Sequence, residues 1–83
     1  MTFREAIPEV KFNLTPQEQL YRVFDELVEA EEVIDHRERF LEEMIDTIHA
    51  SFNVLYKAKY TDKEISQCIK DVIYKNVERG KYK

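Results

Sequence analysis

Residues 39–58, RFLEEMIDTIHASFNVLYKA, decide the fold class. Phe40, Leu41, Met44, Ile48, Phe52 and Leu55 recur in steps of about three to four residues, the period of a helix. Ile45, Val54 and Tyr56 widen the stripe, so the spacing predicts a central helix over about residues 37–59, touched on two or more sides. Glu43 and Asp46 interrupt this apolar surface. At about 100° per residue they project about 60° apart, with Ala50 between them and Asn53 beside Asp46. The pair therefore borders the core instead of lying on the far, solvated face.

Upstream, Thr15 is a good N-cap, Pro16 suits the first helical position and Glu18 completes a capping box. Leu20, Val23, Phe24, Leu27, Ala30 and Ile34 then share one face of a helix that ends near Asp35. Downstream, Thr61 and Glu64 form a second capping box, and Ile65, Ile69, Val72 and Ile73 supply the next stripe. Gly80 stops that helix as the residue beyond the C-cap, with Lys75 and Arg79 favourable in its last turn. Residues 1–14 differ. Pro8 forbids a long helix, and Val10, Phe12 and Leu14 alternate with polar residues, as in an extended arm that packs one side. The expected architecture is all-α: a compact bundle of about three main helices over residues 15–83, with an N-terminal arm over 1–14.

Composition narrows the function. The 83 residues suit one domain with a small core, for which oligomerisation is an economical way to cover more apolar surface. A formal net charge of −4 without a basic run argues against duplex nucleic acid as a partner. The N-terminal stretch has no signal-peptide pattern and no apolar run is long enough for a membrane span. With the single Cys68, this points to a cytoplasmic, reduced setting. One glycine cannot build a phosphate cradle, so phosphate recognition would fall to metal ions and cationic side chains.

The remaining polar residues carry less. Cys68 borders a stripe and reads as a small packing residue. Asp46 and His49 form only half of one di-iron motif, so His49 reads as a partly exposed histidine and His36 as solvated. Tyr56, Tyr60, Tyr74 and Tyr82 suit core edges and interfaces more than a base-stacking surface.

The preceding helix repeats the carboxylate spacing, with Glu26 and Glu29 three residues apart and Glu26 at the border of its stripe. One such pair is commonplace in a chain with 17 acidic residues. Two pairs on consecutive helices are more specific: antiparallel packing would make four carboxylates converge, a costly arrangement without a cation. An all-oxygen set suits Mg²⁺, with Mn²⁺ possible.

E-x-x-E, a connection of thirteen residues (30–42), then E-x-x-D resembles the all-α nucleoside triphosphate pyrophosphohydrolases, the MazG-like group. FDELVEAEEVID is similar to the first motif helix of that family, FLEEMIDTIHASFNVLYK to the second, and KNVERGKY to the tail of small phage-type members. The resemblance spans about residues 17–82. It implies Mg²⁺ held by Glu26, Glu29, Glu43 and Asp46 as the catalytic set, and cleavage of a nucleoside triphosphate to monophosphate and pyrophosphate. It implies a dimer or higher homo-oligomer. It also makes Asn76, which falls within the arc of the last stripe, a substrate-binding candidate beside Lys75 and Arg79. The alternative expectation is a non-catalytic, dimeric binding or regulatory module that keeps the scaffold and uses the arm and acidic surface as contacts.

Overall fold

Backbone capping sets the element boundaries. In the computed structural model, which describes residues 2–82, four helices follow in order: α1 (Phe3–Ala6), α2 (Pro16–Glu32), α3 (Arg37–Lys57) and α4 (Asp62–Glu78). The described residues contain no strand, and the all-α expectation holds. Both capping boxes are formed reciprocally: Thr15 and Thr61 each accept from the N3 backbone N–H, while Glu18 and Glu64 accept from the cap N–H. These hydrogen bonds favour the charged carboxylates and hold both below their ordinary values.

The C-termini are closed in the same manner. After α4, Gly80 has φ +71°, its N–H donates to Val77 O and the Lys81 N–H to Asn76 O. After α3, Lys59 takes the same left-handed φ of 71°, with its N–H bonded to Tyr56 O and the Tyr60 N–H to Leu55 O. Both are Schellman closures. Only the first has the residue that enters this region without a Cβ penalty.

α2 and α3 form an antiparallel hairpin, and theirs is the one extensive helix–helix packing among the described residues. Its orientation is fixed by pairs such as Gln19 with Ala50 at one end and Glu29 with Glu43 further along. The face of α2 that is turned inward is Gln19, Val23, Glu26 and Ala30, which shares only Val23 and Ala30 with the apolar stripe read in the sequence. Leu20, Phe24, Leu27 and Ile34 stay exposed, as do Leu41, Ile45 and Ile48 on α3. Within one chain the two stripes therefore meet only at their edges. α4 buries Ile65 but leaves Val72, Ile73 and Val77 exposed. Cys68 is exposed and free on the rim of an apolar groove between α3 and α4, so the packing role expected for it is not realised within the chain.

The arm is docked. Its first residues form α1, a single turn capped by Thr2, and the helix stops before Pro8. Asn53, only 1% exposed, accepts the Val10 N–H at 2.7 Å and donates to Pro8 O at 3.1 Å and His49 O at 2.9 Å. Buried Tyr56 donates its hydroxyl to Ile7 O, and Lys57 Nζ donates to Val10 O. Arg4 stacks on the Tyr56 ring at 4.2 Å and pairs with Asp62 at the start of α4. The arm thus ties α3 to α4. No helix is long and apolar enough to cross a membrane among the described residues.

Candidate functional site

The short connection between α2 and α3 brings the two carboxylate pairs to the same level of the seam. Oxygen atoms of Glu26, Glu29 and Glu43 lie within 4.8 Å of one another. Asp46 stands close enough for its charge to act on both Glu26 and Glu43. Glu26 and Glu43 are half-buried and Glu29 is exposed. One oxygen of Glu26 and one of Glu43 are shut off from solvent without a hydrogen-bond partner. No Lys or Arg forms a salt bridge to any of the four among the described residues.

The electrostatic consequence is a raised proton affinity. Burial pushes Glu26 above its ordinary carboxylate value, and the charges of Glu29, Asp46 and Glu43 push it the same way. Glu43 is raised first by burial of its carboxylate, then by Glu29 and Asp46, with Arg39 opposing. The donor set fits a hard divalent cation. All donors are carboxylate oxygens that lie within 4.8 Å of one another, and Glu26 and Glu43 each keep one buried oxygen without a partner.

A cavity of about 300 Å³ adjoins the cluster, with Glu26 and Asp46 in its wall. Gln19, Arg22, His49 and Asn53 line it from the helices, and Val10 and Phe12 of the arm complete it. His49 is half-buried, as the sequence suggested. Gln19, Arg22 and the arm were not singled out from sequence as site residues. The available signal was the run Gln19, Val23, Glu26 and Ala30 in successive steps of 4, 3 and 4, which marks the inner face of α2.

The residues expected on the last helix stand elsewhere. Lys75 on α4 and Arg79 at its C-cap are exposed, and half-buried Asn76 donates to the Tyr82 hydroxyl at 3.3 Å. None of the three lines the cavity within the chain. Tyr56 is buried and committed to Ile7, which removes it from any exposed stacking surface.

Fold and site together define an all-α protein whose central helix hairpin gathers acidic side chains beside a small cavity. No family model matches the chain, and no curated protein or solved structure matches it significantly.

Proposed function

We propose that the chain is a Mg²⁺-dependent nucleoside triphosphate pyrophosphohydrolase of the MazG-like class, working as a homo-oligomer in the cytoplasm. The observation that carries this reading is the convergence of Glu26, Glu29 and Glu43 within 4.8 Å, with no salt bridge to them among the described residues and with two buried oxygens unpartnered. A cation bound there neutralises phosphate charge and polarises the phosphoryl group. Glu26, Glu29, Glu43 and Asp46 hold it. One carboxylate of the cluster takes a proton from water as its oxygen bonds to the α-phosphorus and the bond to pyrophosphate breaks. Mn²⁺ is the other cation this oxygen set accommodates.

The exposed apolar surface supports the oligomer. The chain exposes 6767 Å², whereas a folded monomer of its mass exposes about 5,200 Å². The excess is comparable to one side of an obligate dimer interface. Leu20, Phe24, Leu27, Leu41, Ile45 and Ile48, on the two helices of the acidic seam, are among the exposed apolar residues. In this reading Lys75, Asn76 and Arg79 act on substrate only where α4 of a second copy reaches the seam.

The test is a panel of nucleoside triphosphates assayed for pyrophosphate with and without millimolar Mg²⁺, on wild type and Asp46→Asn. Release that needs both Mg²⁺ and Asp46 is the expected result. Sedimentation of Leu41→Glu, expected as monomer against an oligomeric wild type, checks the assembly. The alternative binding module requires partner capture that is lost on removing residues 1–14 and is indifferent to Mg²⁺. The many intramolecular bonds of the arm count against that use.

A further inference from the structure

The cavity beside the carboxylates holds a polar group that neither the packing nor the cation chemistry employs. Gln19 is 3% exposed and its Nε2 donates to Ala50 O at 3.2 Å. That bond fixes the amide orientation, because an amide oxygen turned toward Ala50 would meet another acceptor. Gln19 Oε1 is left buried with no donor. The other amide in the wall has nothing to offer, since Asn53 spends its oxygen on Val10 and its nitrogen on Pro8 and His49. The arm adds an aromatic surface: Phe12 borders the cavity, with the Arg22 guanidinium 5.3 Å from its ring centre. The Phe12 ring, an amide oxygen that neither the packing nor the cation chemistry employs, and a mouth shared with Glu26 and Asp46 suit a planar heterocycle whose substituent extends to the cation.

We infer that this cavity takes the base of the nucleotide, that Gln19 Oε1 accepts an N–H from an exocyclic amine, and that Phe12 is the stacking wall. The inference rests on the triphosphate reading and adds a base preference to it. A lone acceptor favours an amine such as those of cytosine and adenine. The ring N–H of uracil lies between two carbonyl oxygens, which would be driven against Gln19 Oε1. Because Oε1 is screened from bulk water, a donor there is worth more than at the surface. At about 300 Å³ the cavity lies at the small end of ligand sites, with room for one ring system.

The test uses neutral nucleosides, so that neither metal nor phosphate is needed for binding. Two matched pairs, cytidine with uridine and adenosine with inosine, exchange an amine for an oxygen on the same kind of ring. They are titrated into ¹⁵N-labelled full-length protein, with the Gln19 side-chain amide assigned from Gln19→Met. The amino member of each pair binds about tenfold more tightly and moves the Gln19 amide signal. Gln19→Met, which keeps the side-chain length, brings the ratio to about one. Phe12→Ala weakens all four nucleosides alike and preserves the ratio. Equal affinities within both pairs, perturbations that bypass Gln19 and Phe12, or no binding by any of the four overturns the assignment. Base discrimination without Mg²⁺-dependent turnover removes the hydrolase reading and keeps the base pocket. Turnover without amine preference does the reverse.

Discussion

Glu26→Gln should make the metal-free protein more stable and deprive it of its response to Mg²⁺. Glu26 shares a sphere of 4.8 Å with the oxygens of Glu29 and Glu43. Two unit charges at that separation repel by about 0.9 kcal/mol in water and about 3.5 kcal/mol at an effective dielectric of 20. The seam is partly solvated and protonation relieves some of the strain, so the aqueous end applies and the net gain on neutralising Glu26 is about 1 kcal/mol. For a chain of this length that raises Tm by about 4–8 °C in EDTA. Magnesium acts in the opposite order. At a free concentration one hundred times Kd it stabilises wild type by about 2.7 kcal/mol, a shift of about 10–20 °C. If the substitution weakens Kd by about a hundredfold, about 0.4 kcal/mol remains at the same concentration. The assay is thermal unfolding by circular dichroism at fixed protein concentration, wild type and variant, each with EDTA and with a Mg²⁺ series. Identical, Mg²⁺-independent melting curves for the two proteins would refute the reasoning, because a solvated edge of carboxylates predicts just that.

Other perturbations probe the arm, the helix ends and the titration. Asn53→Ala removes three hydrogen bonds to buried or docked backbone groups; a loss of about 2–3 kcal/mol in urea unfolding, with faster proteolysis before Leu14, is the expected outcome. Lys59→Gly relieves a left-handed backbone at φ 71° and should raise stability by about 1 kcal/mol in the same measurement. Glu26 and Glu43 are raised above their ordinary value of 4.5 in the fold, so the folded state holds more protons than the unfolded one just above that pH. Their contribution to metal-free stability is complete below about pH 4.5 and is lost as pH rises through the raised values. The double variant Glu26→Gln/Glu43→Gln should flatten this fall in a pH series of Tm. Glu18 and Glu64 run the other way, contributing above pH 4.5 and losing that contribution as pH falls through their lowered values. Mg²⁺ affinity by calorimetry should weaken on acidification, since protons compete for the same oxygens.

The sequence by itself determined the helices. Capping boxes at Thr15–Glu18 and Thr61–Glu64, Pro16 and Gly80 are local signals that need no tertiary partner, and the starts of α2 and α4 fall where those signals place them. The meeting of Glu26, Glu29 and Glu43 was also legible, because helical spacing and a short connection leave an antiparallel hairpin few alternatives. Only the tertiary structure decided which face of α2 turns inward. Hydrophobicity pointed to a stripe of Leu20, Val23, Phe24, Leu27, Ala30 and Ile34, of which only Val23 and Ala30 turn inward, beside Gln19 and Glu26. A period in sequence gives the direction of an apolar stripe but not what covers it, and here the hairpin covers one edge and leaves the rest open. The cavity was equally hidden. Its walls join residues 10 and 12 to residues 49 and 53, and Gln19 Oε1 is spare because Nε2 found Ala50 across the seam. Such long-range pairing follows from the fold of the arm onto α3, not from any local pattern.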